Sequence, residues 1–182
     1  MIRVTATPIE RNTGEKRCDA EKRAVLRCLR ALGVDEQPHH HSSGAPFLPS
    51  AANTVISVTH SAHWAAVALA NRSDGPVGID VEDSTRPQLP KLSAKFLSDN
   101  ESSAAGNVAD GLTKAWTAKE AVYKAALKRG VVFKHDIALG DGFETALFRP
   151  DCTLFKLSFL SLSHNNILCI ASTSNIFEFN TL

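Results

Sequence analysis

The chain has 182 residues, of which 43% are hydrophobic, enough to bury the core of one domain or of two small lobes. Its net charge of +1 gives no reason to expect a nucleic acid or a membrane surface as partner. The sequence contains no apolar run of 18 residues, no signal-peptide core, and four cysteines without a CxxC pair. We therefore expect a cytoplasmic monomer with reduced cysteines.

The N-terminal part of the chain is predicted to form one helix followed by a loop. Residues 19–32 have the spacing of an amphipathic helix, with Asp19 as its N-cap and Gly33 as its end. A loop rich in proline, histidine, serine and glycine then extends to about residue 53. The histidines at 39–41 have no cysteine or acid at ligand spacing, so they indicate a polar loop rather than a metal site.

Three apolar runs follow the loop and are predicted to be strands, at residues 55–59, 64–70 and 77–81. The alanine content of the middle run would also suit a helix, but its brevity and its place between two strands favour a strand. Parallel strands need a crossover of a dozen or more residues, and the intervals here are shorter. The sequence therefore predicts an antiparallel meander.

The second half of the chain is predicted to contain helices and then strands. The strongest helix signal runs from Leu112 to Lys128 and ends at Gly130, after two shorter helical segments at 91–97 and 101–105. Its apolar stripe is Ala115, Ala118, Val122 and Ala125, with Lys119, Glu120, Lys124 and Lys128 off the stripe. Further antiparallel strands are predicted at 131–133, 137–139, 145–148, 154–162 and 166–172. The fold class is α+β, with a first lobe at 1–75 and a second at 76–182 in one structural unit.

Three acidic residues and one lysine are candidates for a common site. Asp80 and Glu82 end an apolar strand, and the alternation of side chains puts both on one face, roughly 6–7 Å apart. Glu120 and Lys124 share one face of the predicted helix. If the helix packs over the strand, three carboxylates converge, and such an all-oxygen set suits Mg²⁺ and chemistry on a phosphate ester or anhydride. The alternative is a solvated strand face and an ordinary i,i+4 ion pair.

Three segments in this order resemble the signature of 4′-phosphopantetheinyl transferases: Ser57-Val58-Thr59-His60-Ser61, Val77-Gly78-Ile79-Asp80-Val81-Glu82, and Trp116-Thr117-Ala118-Lys119-Glu120-Ala121-Val122-Tyr123-Lys124. Because the Gly-Ile-Asp segment begins at residue 78, the chain is similar to the larger, surfactin- and enterobactin-synthetase-type members. The resemblance implies two similar α+β lobes related by a pseudo-twofold axis, each an antiparallel sheet packed against helices. It also implies transfer of the phosphopantetheine arm of coenzyme A to a serine of an apo acyl or peptidyl carrier protein, releasing adenosine 3′,5′-bisphosphate.

The same resemblance implies roles for particular residues. The Mg²⁺ ligands would be Asp80, Glu82 and Glu120. Contacts to coenzyme A would come from Arg23, the Gly44-Ala45-Pro46 turn, His60, Ser61 and Lys124, with Lys119 as a phosphate or carrier contact. Phe96-Leu97-Ser98 followed by Glu101 resembles a stretch whose glutamate is a proposed base in some members.

Several alternatives stay open from the sequence. The base that deprotonates the serine could be Glu101 or Glu120, directly or through a metal-bound water. His60 could instead cap a turn, Trp116 could belong to the core, and Glu101 could be a solvated helix residue. Ala45 replaces the basic residue that many members have before the proline, and Thr59 replaces the commoner serine. A non-catalytic relative that binds carrier proteins is the second hypothesis, and the intact set of three acids favours the enzyme.

Overall fold

The computed structural model describes residues 1–174 and 177–182. The helices are α1 (Arg17–Ala31), α2 (Leu89–Phe96), α3 (Asp99–Gly106), α4 (Gly111–Ala126) and α5 (Phe133–Asp136). The strands are β1 (Ile2–Pro8), β2 (His39–His40), β3 (Pro46–Phe47), β4 (Thr54–His60), β5 (Trp64–Asn71), β6 (Val77–Asp83), β7 (Ile137–Leu139), β8 (Thr145–Phe148), β9 (Thr153–Leu162), β10 (Asn166–Ser172) and β11 (Phe177–Thr181). The protein is mixed α+β, with its sheets packed against helices, as predicted. Within the described residues, no helix has the length and apolar character needed to cross a membrane.

The first sheet has the strand order β11-β1-β5-β4 and carries α1 on one face. The predicted helix at 19–32 is confirmed, although α1 begins at Arg17 and Asp19 lies in its first turn without a capping bond. The chain leaves the helix through Gly33, whose φ of +82° favours glycine. β1 and β11 pair in parallel, so the expectation of wholly antiparallel sheets is wrong for this pair. Neither strand was predicted, although buried Ile2, Val4 and Ala6 alternate along β1.

The second sheet has the order β6-β10-β9-β8-β7 and is antiparallel throughout. Three residues of the predicted apolar stripe, Ala118, Val122 and Ala125, pack α4 onto it in one cluster with Phe148 and Phe155. The fourth, Ala115, packs in a separate cluster with Phe96. The helix ends at Ala126, because Leu127 takes a left-handed φ of 52°, so the predicted end at Lys128 is too late. The predicted strand at 131–133 is also wrong. Asp136 accepts a hydrogen bond from the Val132 N–H at 2.7 Å, and this turn starts α5.

The predicted three-stranded meander is correct for β4 and β5 but wrong for β6. β4 pairs with β5, whereas the backbone of β6 pairs with β10 in the other sheet. β6 meets β4 through side chains. The Ser57 Oγ accepts the Ile79 N–H at 3.0 Å, and the Thr59 Oγ1 accepts the Val81 N–H at 3.1 Å. The two sheets are therefore joined by hydroxyl groups where a backbone ladder was expected.

The two sheets share one apolar core. Ile2, Val4, Ala66 and Ala68 of the first sheet pack with residues of the second, namely Ile79, Val81, Leu168 and Ile170. The helices α1 and α4 cover the opposite faces, which gives the layers helix, sheet, sheet, helix. Because β11 returns to the first sheet, the sheets do not follow the predicted division of the chain at residue 75. The alternation along β6 thus puts Ile79 and Val81 in the core between the sheets and Asp80 and Glu82 on the α4 side.

Candidate active site

A glycine lets α4 lie close to β6. A Cβ at Gly78 would overlap the carbonyl oxygen of Ala121 and the amide nitrogen of Ala125, both on the α4 backbone. Any larger residue would push the helix away from the strand. The carboxylate of Asp80, two residues further along the same face, therefore lies beneath the α4 residues Glu120 and Lys124.

Asp80 and Lys124 form the inner part of this site. The Lys124 Nζ lies 2.7 Å from the Asp80 Oδ1 and donates to the Ile79 carbonyl at 3.2 Å. The Thr59 hydroxyl also donates to the Asp80 Oδ1, at 3.1 Å. Burial raises the pKa of Asp80, and the charge of Lys124 and the Thr59 hydrogen bond partly offset this effect. The ordinary Glu120–Lys124 pair, the alternative from the sequence, is not the contact that Lys124 makes.

Glu82 and Glu120 form the outer part of the site. The Arg86 guanidinium pairs with the Glu82 Oε2, and the Glu82 Oε1 accepts the Asp83 N–H at 3.1 Å. Among the residues that the structure describes, the Glu120 carboxylate has no hydrogen-bond or ion-pair partner. Burial and the charge of nearby Asp80 raise the pKa of Glu120 to about 7. An unpaired carboxylate with this pKa is half ionised near neutral pH.

The three acids Asp80, Glu82 and Glu120 line a cleft of about 560 Å³, together with His60 and Ser61 from the first sheet and the turn after it. The His60 Nδ1 lies 3.6 Å from the Glu21 Oε1 of α1. The buried Ser61 Oγ accepts the N–H groups of His63 and Trp64, so its hydroxyl holds the turn between β4 and β5. The cleft therefore lies where β4, β6 and α4 meet.

A second cleft of about 380 Å³ adjoins the first, and His60 lines both. One wall is the predicted Gly44-Ala45-Pro46 turn, and the opposite wall is the C-terminal end of α4 with Lys124 and Lys128. The Arg129 side chain crosses between these walls and donates to the Ser42 carbonyl. The walls carry lysine, arginine and histidine, which suits an anionic ligand.

The chemistry and charge of the three acids suit a hard cation. In the described parts of the chain, no three histidine, cysteine, aspartate or glutamate side chains already form a metal-binding group. The donor set nevertheless fits, because Asp80, Glu82 and Glu120 supply carboxylate oxygens on one cleft. The repulsion that raises the pKa of Glu120 is also what a divalent cation would relieve. Glu82 is paired with Arg86, so the guanidinium and a cation would share its carboxylate.

Glu101 and Lys119 lie apart from this cleft. Lys119 is fully buried, and its Nζ lies 2.9 Å from the Glu101 carboxylate and donates to the carbonyls of Phe133 and Ile137. Glu101 also accepts the N–H groups of Ser98 and Leu139. Burial raises the pKa of Glu101, but these hydrogen bonds and the Lys119 charge outweigh it and lower the pKa. The predicted position of Lys119 off the apolar stripe is therefore wrong, and neither residue lines the two clefts.

Arg23 is also held elsewhere. Its guanidinium pairs with Glu15 at 2.9 Å on the exposed side of α1, and it lines neither cleft. Arg86 was not among the residues predicted for the site, and a place in the core was the alternative for Trp116. Trp116 lines the first cleft and packs edge-on against Phe96 at 5.0 Å. Arg86 follows β6 in a loop, where no periodicity indicates which way a side chain points.

A comparison with known protein families finds a match for a segment that begins at residue 76. Residues 76–159, which are 84 of the 182, match the family model of the 4′-phosphopantetheinyl transferase superfamily. The matched segment contains Asp80, Glu82, Glu120 and Lys124, and it begins after Pro46 and His60. No curated protein matches the chain. The match supports a transferase domain of the phosphopantetheinyl type and suggests phosphopantetheine transfer in general.

Proposed function

We propose that the protein transfers the 4′-phosphopantetheine arm of coenzyme A to a serine hydroxyl of an apo carrier protein. The serine oxygen forms a bond to the β-phosphorus of coenzyme A, and the bond from that phosphorus to the bridging oxygen breaks. Adenosine 3′,5′-bisphosphate leaves. The observation that carries this proposal is the unpaired Glu120, with its raised pKa, in the first cleft beside the Asp80–Lys124 pair, whose Lys124 lines the second cleft.

Glu120 is the base in this proposal. In the metal-free protein, burial together with the Asp80 charge raises the pKa of Glu120 to about 7. A bound cation would lower this pKa, so that the carboxylate is ionised at neutral pH and able to accept a proton. Glu101, the other candidate, is only 6% exposed, and its oxygens already accept from Ser98, Leu139 and Lys119. The serine proton would therefore pass to Glu120.

Lys124 neutralises the negative charge that grows on the leaving phosphate. Its Nζ already lies at the border of the two clefts, held by Asp80 and the Ile79 carbonyl. A preorganised ammonium group costs no reorganisation at the moment of transfer, which is why such groups contribute strongly to catalysis. The nucleotide end of coenzyme A would lie in the second cleft, between the Pro46 turn and the end of α4.

We propose Mg²⁺ as the cofactor, held by Asp80, Glu82 and Glu120. A bound Mg²⁺ would neutralise and orient the pyrophosphate. Glu82 and Asp80 share one face of β6 and line the same cleft as Glu120, which supports this assignment. The protein residues would then supply the proton acceptor, the positive charge and the walls that position the two substrates.

We also propose that the two helix-covered sheets are the two lobes of the larger subclass, related by a pseudo-twofold axis. The layering supports this proposal, because α1 covers the first sheet as α4 covers the second, with the shared core between them. Three of the four strands of the first sheet, β1, β4 and β5, lie before residue 76, where the match to the family model begins, and this also favours the larger subclass.

The proposal is tested by incubating the protein with coenzyme A, Mg²⁺ and apo carrier proteins from fatty-acid, polyketide and peptide synthases. We expect at least one carrier to gain the mass of a phosphopantetheine arm in an intact-mass spectrum, and its serine-to-alanine variant to gain nothing. Carriers that bind in pull-down assays but gain no mass would favour the non-catalytic relative. The absence of any mass gain across the panel would contradict the proposal.

A further inference from the structure

Arg86 lies across the outer half of the acidic cleft. Its guanidinium pairs with the Glu82 Oε2 and lies 6.0 Å from the centre of the Trp116 ring. The Arg86 side chain is 37% exposed and that of Glu82 only 14%, so the pair sits at the cleft mouth with its carboxylate facing inward. The aromatic face gives the positive charge a second favourable contact.

The charges in the cleft divide into two groups. Lys124 is bound to Asp80 in the inner part, at 2.7 Å. Glu82 and Glu120 lie in the outer part, where Arg86 is the positive side chain that contacts either of them in the described structure. Arg86 is therefore the cation paired with Glu82, while the charge of Lys124 acts on Glu120 from the inner part and Arg17 lines the same cleft.

The two oxygens of Glu82 are both engaged in this arrangement. Oε1 accepts the backbone N–H of Asp83 at 3.1 Å, and Oε2 accepts from Arg86. A divalent cation that shares Glu82 with Asp80 and Glu120 brings two positive charges to the carboxylate that the Arg86 guanidinium already neutralises. The guanidinium and the cation therefore compete for one carboxylate.

We propose that Arg86 is the internal counter-ion of this cleft, which holds Glu82 until a divalent cation displaces it and so sets the cation affinity. The inference rests on the proposed function only in taking the three acids as a cation site. Displacement is feasible because an ion pair between partly exposed side chains contributes little net stability.

A titration with the metal alone tests this proposal. Mg²⁺ and Mn²⁺ are added to the metal-free protein without coenzyme A, and binding is followed by calorimetry and by tryptophan fluorescence. We expect Arg86→Gln to bind the cation about fivefold more tightly than the unsubstituted protein, or better, the ratio that corresponds to a coupling near 1 kcal/mol. Arg86→Lys, which keeps the charge without the planar fork, should lie between the two.

A matched control comes from Arg30, which pairs with Asp35 at 2.9 Å on α1 and lines neither cleft. Arg30→Gln removes the same charge from the protein and should leave the affinity unchanged. Fluorescence should change on titration, because Arg86 leaves its contact with Trp116, and Trp116→Phe should abolish that change. The other tryptophan, Trp64, is 6% exposed and packs in the core between the sheets.

The outcomes separate the two proposals. Equal affinity in Arg86→Gln and the unsubstituted protein would leave the cation site intact and overturn the role of Arg86. Weaker binding in Arg86→Gln, with an unchanged melting temperature, would overturn it too, because Arg86 would then organise the ligands. If no variant binds either cation, the competition and the cation part of the proposed function both fail.

Discussion

Lys119 and Glu120 are neighbours on α4, but their charged groups have opposite environments. The Lys119 ammonium is fully buried, and its contacts are the Glu101 carboxylate and two backbone carbonyls. The Glu120 carboxylate faces a cleft without a hydrogen-bond partner among the described residues, and the burial and charge around it raise its pKa to about 7. The Lys119 charge is therefore neutralised inside the protein, whereas the Glu120 charge remains accessible to a ligand.

The difference shows that one helix can contribute both to the stability of the fold and to the candidate site. The Lys119–Glu101 pair ties α4 to the start of α3 and to β7, through Ser98 and Leu139. This holds α4 in place over β6, so that Glu120 and Lys124 stay above Asp80. The buried Lys119–Glu101 ion pair fixes the position of the helix. The unpaired Glu120 carboxylate instead keeps a repulsion with Asp80 that a cation or substrate can relieve.

The largest effect is expected when the buried Lys119–Glu101 ion pair is broken. Lys119→Met leaves the Glu101 carboxylate buried without its ammonium partner, which should destabilise the fold by about 3–5 kcal/mol. In a chain of this size, the melting temperature should fall by about 6–20 °C in a thermal scan. Adding Glu101→Gln to this variant should recover part of the loss, because no lone charge remains. An unchanged melting temperature for Lys119→Met would show that the pair does not hold α4.

The second prediction concerns Lys124, on the side of α4 that faces the clefts. Lys124→Ala removes the ammonium group at the border of the two clefts and should lower kcat about a hundredfold or more, as for other single charge-stabilising groups. Lys124→Arg should recover only part of the rate. Carrier mass over time gives the rates, with exposed Lys22→Ala of α1 as the control. A rate for Lys124→Ala within about threefold of the control would remove Lys124 from the chemistry.

A third prediction uses the raised pKa of Glu120. The unfolded chain gives up this proton near pH 4.5, whereas the folded protein holds it to about pH 7. The stability from this group is therefore present below pH 4.5 and lost as the pH rises through 7. In EDTA at pH 8, Glu120→Gln should melt about 2–4 °C above the unsubstituted protein, the shift that about 1 kcal/mol gives.

The pH dependence supplies the check on that result. At pH 4.5 and below, the two melting temperatures should converge, because Glu120 is then protonated in both states. Glu178→Gln, an exposed change on β11, should show no such crossover. A variant that melts below the unsubstituted protein at pH 8 would mean that the Glu120 carboxylate stabilises the fold, against this account.

The smallest effect is expected from the ligands themselves. Coenzyme A and Mg²⁺ together should raise the melting temperature more than the sum of their separate shifts, because pyrophosphate and carboxylates would share one cation. The excess should disappear in Glu120→Gln. Strictly additive shifts in a thermal scan would indicate that the two ligands do not share a site.

Much of this site was predictable from the sequence, because it depends on local periodicity. The alternation along β6 puts Asp80 and Glu82 on one face, and the helical repeat puts Glu120 and Lys124 near each other. The partner of β6 was not predictable in the same way, since β10 is distant in sequence and the hydroxyls of Ser57 and Thr59 replace a backbone ladder. Strand pairing depends on contacts between residues that are far apart in the sequence, so a short segment does not reveal it.

Lys119 shows a signal that could have been used. It lies four residues after buried Ala115 and three before buried Val122, so the helical repeat places it on the apolar face. A charged residue was expected outside because burial of an unpaired ammonium is costly. The missing information was the position of Glu101, which a separate helix brings to it. Arg86 lies in a loop, and no comparable pattern indicates its contact with Glu82.

The most direct measurement compares the two carboxylates as bases. Glu120→Gln and Glu101→Gln are assayed below their melting temperatures, with coenzyme A, Mg²⁺ and an apo carrier that the unsubstituted protein modifies, and the carrier is weighed over time. The account predicts that Glu101→Gln lowers the melting temperature but still adds the phosphopantetheine arm, whereas Glu120→Gln stays folded and adds none. Transfer by Glu120→Gln together with loss of transfer in a folded Glu101→Gln would contradict it.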